Sequence, residues 1–401
     1  MAESPVMAVA GRRIAITGYG VVAPCGIGKD AFWKGLLGPG IETGRKVEIE
    51  DWDPTPYFDN PKQARRTDRV EHFALAAAME CFEQAGRPDV DDSRFGTIFA
   101  TGVGGLRSTE ENIFTLIEQG IRRVSPFTVP QMMPNAPGAA ISMRYGLRGP
   151  NETICTACAA STHAIGYAAR LIAWGMIDAC ITGGSESAGC QIGESAFGNM
   201  TALTKGGFSH PFSPERDGFV LGEGAAVFLL EEWDGAVARG ATIVGEVLGA
   251  ASNADAHHIT APSPGGTGAI ACMRAAIRDA SLTTSDIGQV NAHGTSTPLN
   301  DEAEAQAITA VFGPNAVPVT STKGVTGHAL GAAGALEAAA VLLSMHHRLI
   351  PPTAGTKQLD DGMEIDLVMN EAREWTPSPA ISNSLGFGGH NGTIVLGPGS
   401  A

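Results

Sequence analysis

The chain has 401 residues, 43% of them apolar, with 52 glycines, few aromatics and a net charge of −15. Its length supports a large core in one or two domains, and its acidity excludes a nonspecific nucleic-acid binder, which needs a basic face. No apolar run reaches the roughly 18–20 residues of a membrane span, and seven scattered cysteines without a secretory leader fit reduced thiols in the cytoplasm.

Residues 1–10 read as a short tail without signal-peptide layout. Arg13–Tyr19 predicts a buried strand, broken by Gly18, Gly20 and Pro24 into a loop. A short helix follows over Asp30–Leu37, then an irregular excursion over 38–61, then a helix from Thr67 to Gly86 with Phe73, Ala74, Ala77, Cys81 and Phe82 on its apolar face. Phe95–Thr101 predicts a strand ending in Gly102-Val103-Gly104-Gly105. No Lys-Ser/Thr follows those glycines, so they read as close backbone packing rather than a phosphate loop. Glu110–Gln119 predicts a helix, and the prolines at 126, 130, 134 and 137 make 125–138 a loop or Pro-interrupted segment. Strands follow at Ala179–Gly183, Ala225–Leu230 and Ile243–Ser252, separated by a polar, Gly-rich excursion over 198–218. The second part alternates a helix over Gly268–Ala280, a strand at Val290–Gly294, a helix over Asp301–Phe312 and a strand at Val317–Ser321. An Ala-rich helix to Met345 and a hairpin of Ala380–Ser384 with Gly392–Leu396 close the chain. Alternating strands and helices imply layered α/β packing.

The stretch 153–174 organises this reading. A Thr/Ile/Cys run ends a strand, and Ala159–Trp174 is apolar on all faces, as in a buried helix. Cys158 falls at the turn between them, where free N–H groups and the helix dipole favour a thiolate and hence a nucleophile. Free cysteines are often inert core residues, however. Cys155 and Cys158 also form a C-x-x-C pair, which reads as a redox dithiol or half of a zinc site, although no second metal-type pair appears. The pattern of strand, polar turn, reactive side chain and small-residue helix recurs at 322–336, where His328 takes the place of Cys158. The repeat implies two similar halves, with Cys158 and His328 near a pseudo-two-fold axis.

Three further stretches carry His or Gly-rich loops. They are Asn291-Ala292-His293-Gly294-Thr295-Ser296-Thr297-Pro298, Ser321-Thr322-Lys323-Gly324-Val325-Thr326-Gly327-His328, and Asn383-Ser384-Leu385-Gly386-Phe387-Gly388-Gly389. With Thr156-Ala157-Cys158 they closely resemble the β-ketoacyl-acyl-carrier-protein synthases of the thiolase superfamily, from about Arg13 to Leu396. The resemblance implies a duplicated α/β/α/β/α layered fold, with halves at 11–250 and 251–399. It implies a decarboxylative Claisen condensation, with Cys158 taking the acyl chain and His293, His328 and Lys323 forming the decarboxylation site. Glu337 would support Lys323, and the N–H groups of Cys158 and Phe387 would form the oxyanion hole. Thr260, Thr295 and Thr297 would contact pantetheine, while Val103, Phe197 and Phe387 would line or gate the acyl pocket. Pro134 and Pro137 depart from the commoner pattern of that segment.

Lys62, Arg65 and Arg66, joined by Lys205, form a basic cluster in an acidic chain. A charge run is usually a solvated face, but the resemblance makes it a docking site for the acidic acyl carrier protein. The resemblance also implies a dimer, either of identical chains or with a chain-length-factor-like homologue, and no metal or cofactor beyond the carrier's phosphopantetheine. Residues 23–26 and 52–57 look more like polyketide ketosynthases, whereas the segments around Cys158 and Thr295 look more like fatty-acid enzymes. The expectation is type II polyketide synthesis of a polyene-like chain, with primary fatty-acid elongation as the alternative. A non-catalytic chain-length factor would lack the nucleophile. A thiolase acting on CoA thioesters would need a second catalytic cysteine near the C-terminus, and the last one here is Cys272.

Overall fold

A computed structural model describes residues 11–399; the expected tail 1–10 lies outside the described residues. The first strand, β1 (Ile14–Ala23), is buried along its whole length. It does not stop at Gly18 or Gly20 as the sequence implies. A Cβ on Gly20 would lie 2.1 Å from the Ala77 carbonyl oxygen, so glycine here lets the helix Arg69–Ala85 press onto the strand. That helix starts where its capping box dictates, with Asp68 accepting from Val70 N–H and Glu71 from Asp68 N–H.

The first half adds β2 (Phe95–Ala100), β3 (Asn151–Ile154), β4 (Ala179–Glu186) and β5 (Gly224–Glu232). The second adds β6 (Gly245–Ala254), β7 (Gln289–Asn291), β8 (Pro318–Thr320), β9 (Asp366–Leu367), β10 (Ala380–Gly386) and β11 (His390–Pro398). All lie in one sheet, in the order β3-β2-β4-β5-β1-β6-β11-β10-β7-β8-β9. From the centre outward the two sides match. On one, β1 and β5 are antiparallel neighbours, β5 is antiparallel to β4, and β4, β2 and β3 run parallel. On the other, β6, β11 and β10 pair antiparallel, then β10, β7 and β8 run parallel. The seam is short: β1 meets β6 only at Ala15↔Glu246 and Ile16↔Gly245. β6 runs across residue 250, and its neighbours place it with the second set.

Two helices, Ala160–Ala173 and Ala333–His347, fill the middle. They share one apolar core with the inward residues of both sides of the sheet. The second is buried from Ala333 through Met345, which explains its lack of a polar face. At their crossing, Ala335 N–H donates to Ser161 Oγ at 2.9 Å, and Thr162 Oγ1 lies 2.7 Å from Ser384 Oγ. Two outer cores lie beneath the helices Arg69–Ala85 and Thr267–Asp279. Helices and sheet thus alternate as expected.

Of the two forms expected for 125–138, a loop is excluded and a Pro-interrupted segment is found: the helix Thr128–Met132 and the start of Ala136–Tyr145, broken around Pro134. Pro137 sits in the first turn of the latter, where no intrahelical N–H is needed. The helix Gln191–Asn199 was not anticipated.

Candidate active site

Cys158 stands on a tight turn, Ala157–Ala159, between β3 and the helix Ala160–Ala173. Ala157 is held at φ +50°, a left-handed conformation that aims the next side chain inward. The thiol is buried, at 7% exposure. Burial pushes its pKa up to about 12, against the Lys323 charge and a hydrogen bond from Phe387 N–H. The easy ionisation expected of a helix start is therefore absent, because desolvation outweighs the turn's N–H groups. A proton acceptor must be close, and one is: His328 Nε2 lies 3.1 Å from Cys158 Sγ.

His328 arrives from the other half. Its N–H donates to Val220 O at 2.7 Å, its carbonyl accepts from Gly222 N–H at 3.0 Å, and Phe219 packs edge-on against its ring. His293 follows β7, and the two imidazoles stand edge to face, 5.2 Å apart. Glu304 accepts the N–H groups of His293 and Gly294, both at 2.8 Å. Asp301 holds the next turn through Thr295 N–H and Ser296 N–H. Sequence reasoning did not single out these two carboxylates as anchors. Their three-residue spacing in the helix Pro298–Phe312, just after the His293 loop, is the signal that could have found them.

Behind the imidazoles, Lys323 is 1% exposed. Its ammonium bonds His293 O at 2.6 Å, approaches His293 Nδ1 at 3.3 Å and pairs with Glu337. A donor facing Nδ1 makes that nitrogen the acceptor and leaves the proton on Nε2. Burial first, then the Lys323 charge, hold both histidines well below the usual pKa of 6.5, so both are neutral. Burial pushes the Glu337 carboxyl up to about 7, while Lys323 pulls it down.

Cys158, His293 and His328 offer ligand atoms within 4.8 Å of one another. Such a thiol-imidazole set also suits zinc. The Lys323 ammonium beside His293 opposes a dication there through charge and tautomer together.

These side chains open onto a cavity of about 390 Å³. Thr260, Thr295, Thr297, Phe197, Phe387 and Lys205 all line it. Thr295 and Thr297 hydroxyls are 2.9 Å apart. Gly386 brings the Phe387 backbone against the nucleophile turn: a Cβ there would sit 3.2 Å from Cys158 N. Val103 does not reach the cavity and is 39% exposed. Lys62, Arg65 and Arg66 are exposed on the turn before the helix Arg69–Ala85 and do not line the cavity; Arg66 lies over the Phe127 ring.

The repeated sheet with its two central helices is the thiolase-like fold of the ketosynthase structures it resembles, and the relatives make the chain an acyltransferase-type enzyme. The chain belongs to the β-ketoacyl synthase family: residues 41–236 match its N-terminal domain and 244–357 its C-terminal domain. It is 40% identical to 3-oxoacyl-[acyl-carrier-protein] synthase 2 of Vibrio harveyi, over 96% of this chain and 98% of that one. Among solved structures it resembles the ishigamide ketosynthase/chain length factor, with a TM-score of 0.89 and 30% identity over 97% of this chain and 100% of that chain. It also resembles a ketosynthase bound to the hexaketide in complex with its type II polyketide acyl-carrier protein, with a TM-score of 0.88 and 29% identity over 97% and 100% of the two chains.

Proposed function

We propose that the protein joins a Cys158-bound acyl chain to malonyl-acyl-carrier protein by decarboxylative Claisen condensation. The observation that carries this is the 3.1 Å approach of His328 Nε2 to Cys158 Sγ, with His293 alongside. In the loading step Cys158 sulfur attacks the acyl thioester. Its proton passes by way of His328 to the departing pantetheine sulfur. In the second step a malonyl thioester loses CO₂, and the negative charge on its thioester oxygen is met by imidazole N–H groups in a water-poor site. The carbanion then attacks the acyl carbonyl. Cys158 N–H and Phe387 N–H receive the oxyanion, which collapses to the ketone as Cys158 sulfur leaves as a thiolate and takes up a proton from solvent. Thr260, Thr295 and Thr297 hold the pantetheine arm, and Phe197 and Phe387 shape the acyl end. The acyl groups ride on phosphopantetheine, so this scheme calls for no resident cofactor.

The carrier protein is acidic in this reading and docks on Lys62, Arg65, Arg66 and Lys205. The chain pairs with a second ketosynthase-like subunit, its own copy or a chain-length-factor-like homologue. Support comes from large apolar side chains left in solvent, Ile117, Ile121 and Met143, exposed at 73%, 80% and 77%. In addition β3, which leads to Cys158, ends one side of the sheet order and leaves an edge to be paired. No helix among the described residues is long and apolar enough to cross a membrane. Free cysteines throughout fit the reducing cytoplasm.

The pathway we propose is type II polyketide synthesis of a polyene-like chain. The likeness to a ketosynthase in complex with its type II polyketide acyl-carrier protein supports the polyketide part, as do the segments at 23–26 and 52–57. Primary fatty-acid elongation is the second reading, favoured by the 40% identity to synthase 2. Co-expression with the neighbouring genes decides between them. A homologous subunit that co-purifies and is required for condensation supports the polyketide reading. A self-sufficient homodimer that extends saturated acyl chains overturns it.

A further inference from the structure

We propose that Glu186 is a positioning residue that fixes the turn after His328 to the loop after β2, and so sets the contact of His328 with Cys158. The inference rests on the ketosynthase reading above. Glu186 ends β4 and is wholly buried. One carboxylate oxygen, Oε2, accepts both Gly102 N–H at 2.6 Å and Gly331 N–H at 3.1 Å. The other, Oε1, accepts the Thr101 hydroxyl at 3.2 Å. Gly102 follows β2 in the first half. Gly331 follows His328 by three residues in the second. A single oxygen thus joins the two halves beside the nucleophile.

The turn it holds is strained. Leu330, between His328 and Gly331, stands at φ +42°, where an L-residue persists only if its surroundings force it. Leu330 lines the reactive cavity and packs in the same buried cluster as Cys158 and Phe219. The backbones leave no slack, since a Cβ on Gly331 would fall 2.1 Å from Gly102 N. Among the described residues no cation pairs with Glu186, unlike Glu337 with its lysine. Its charge is met by N–H and O–H donors, and burial raises its pKa to about 7. Geometry rather than charge is what this carboxylate supplies.

Glu186→Gln and Glu186→Asp separate the two. Gln keeps an oxygen for the shared N–H pair; Asp keeps the charge but is one methylene too short. We expect Gln to retain kcat for condensation within about threefold, since its amide oxygen still accepts both bonds. Asp should lower kcat on the order of ten- to a hundredfold with KM little changed, and should slow Cys158 alkylation by iodoacetamide in parallel. Circular dichroism and Tm report folding. A folded Asp variant with wild-type kcat and alkylation rate overturns the proposal, as does a Gln variant impaired as much as Asp. If the Asp variant does not fold, Thr101→Ser and Thr101→Val replace it: Ser keeps the hydroxyl that bonds Oε1 and accepts Gly104 N–H, and Val removes both bonds. A measurable kcat loss with Val but not with Ser supports the proposal, and any other result overturns it. Cys158→Ala serves as control: acyl or alkyl label retained on that site would sink the ketosynthase reading itself, whereas the Glu186 outcomes bear only on positioning.

Discussion

The Lys323 ammonium lies 2.6 Å from the backbone oxygen of His293 and 3.3 Å from Nδ1 of the same residue, while sharing its charge with Glu337. One buried cation therefore sets the tautomer of an imidazole, lowers its pKa and balances a carboxylate. Lys323→Ala should lose all three. Decarboxylation should fall on the order of 10²–10³ as the donor set loses its alignment. Stability should fall by about 3–5 kcal/mol when Glu337 is left buried and unpaired. Because burial raises the Glu337 pKa above its ordinary 4.5, that variant can take up a proton, and its stability deficit grows as pH rises through this window. Adding Glu337→Gln should restore Tm but not decarboxylation. Denaturation at several pH values and CO₂ release measure the two effects.

Cys158→Ala should abolish acyl loading, read as the mass shift of the protein after incubation with acyl-carrier protein. The imidazoles and Lys323 remain, so malonyl decarboxylation should persist. An acylated Cys158→Ala protein refutes the nucleophile.

The low-pH limb of decarboxylation should lie below the usual histidine range. Both histidines are held under 6.5, so both stay neutral as pH falls through that value. Between the folded and unfolded values the unfolded chain binds more protons, so stability drops as pH falls below 6.5. A decarboxylation profile of Cys158→Ala, which isolates this step, should be flat across pH 6.5. A midpoint at or above that value contradicts neutral donors held by burial.

Charge reversal at Lys62, Arg65 or Lys205 should raise KM for the carrier protein about tenfold each at low salt, an effect that fades as salt screens it. The Lys62 and Arg65 variants, which lie off the cavity, should act normally on a pantetheine-thioester mimic without the protein part. An unchanged KM removes the docking surface.

Much of this centre was legible before any coordinates. Local chemistry placed Cys158 at a helix start and left it as readily an inert core thiol; the resemblance of its turn and the His293, His328 and Phe387 loops to one family is what joined them into a site. What escaped depends on burial by distant residues. The thiol's raised pKa comes from desolvation that no local motif reports. Gly18 and Gly20 look like breakers until the helix pressing on them is known. Val103 belongs to a glycine loop that does not line the cavity, and its side chain is 39% exposed. Glu186 lies 28 residues past the nucleophile in a plain strand, and its meaning exists only once Gly102 and Gly331 touch.

The two-pair seam between β1 and β6 has a further consequence. Sulfur comes from one repeat and both imidazoles from the other, so neither repeat alone holds a working centre. A chain severed at the exposed Gly240 turn would give two inert fragments, and catalysis would return only on their reassembly. Turnover would then report docking of the repeats, which makes this protein a natural candidate for a split reporter.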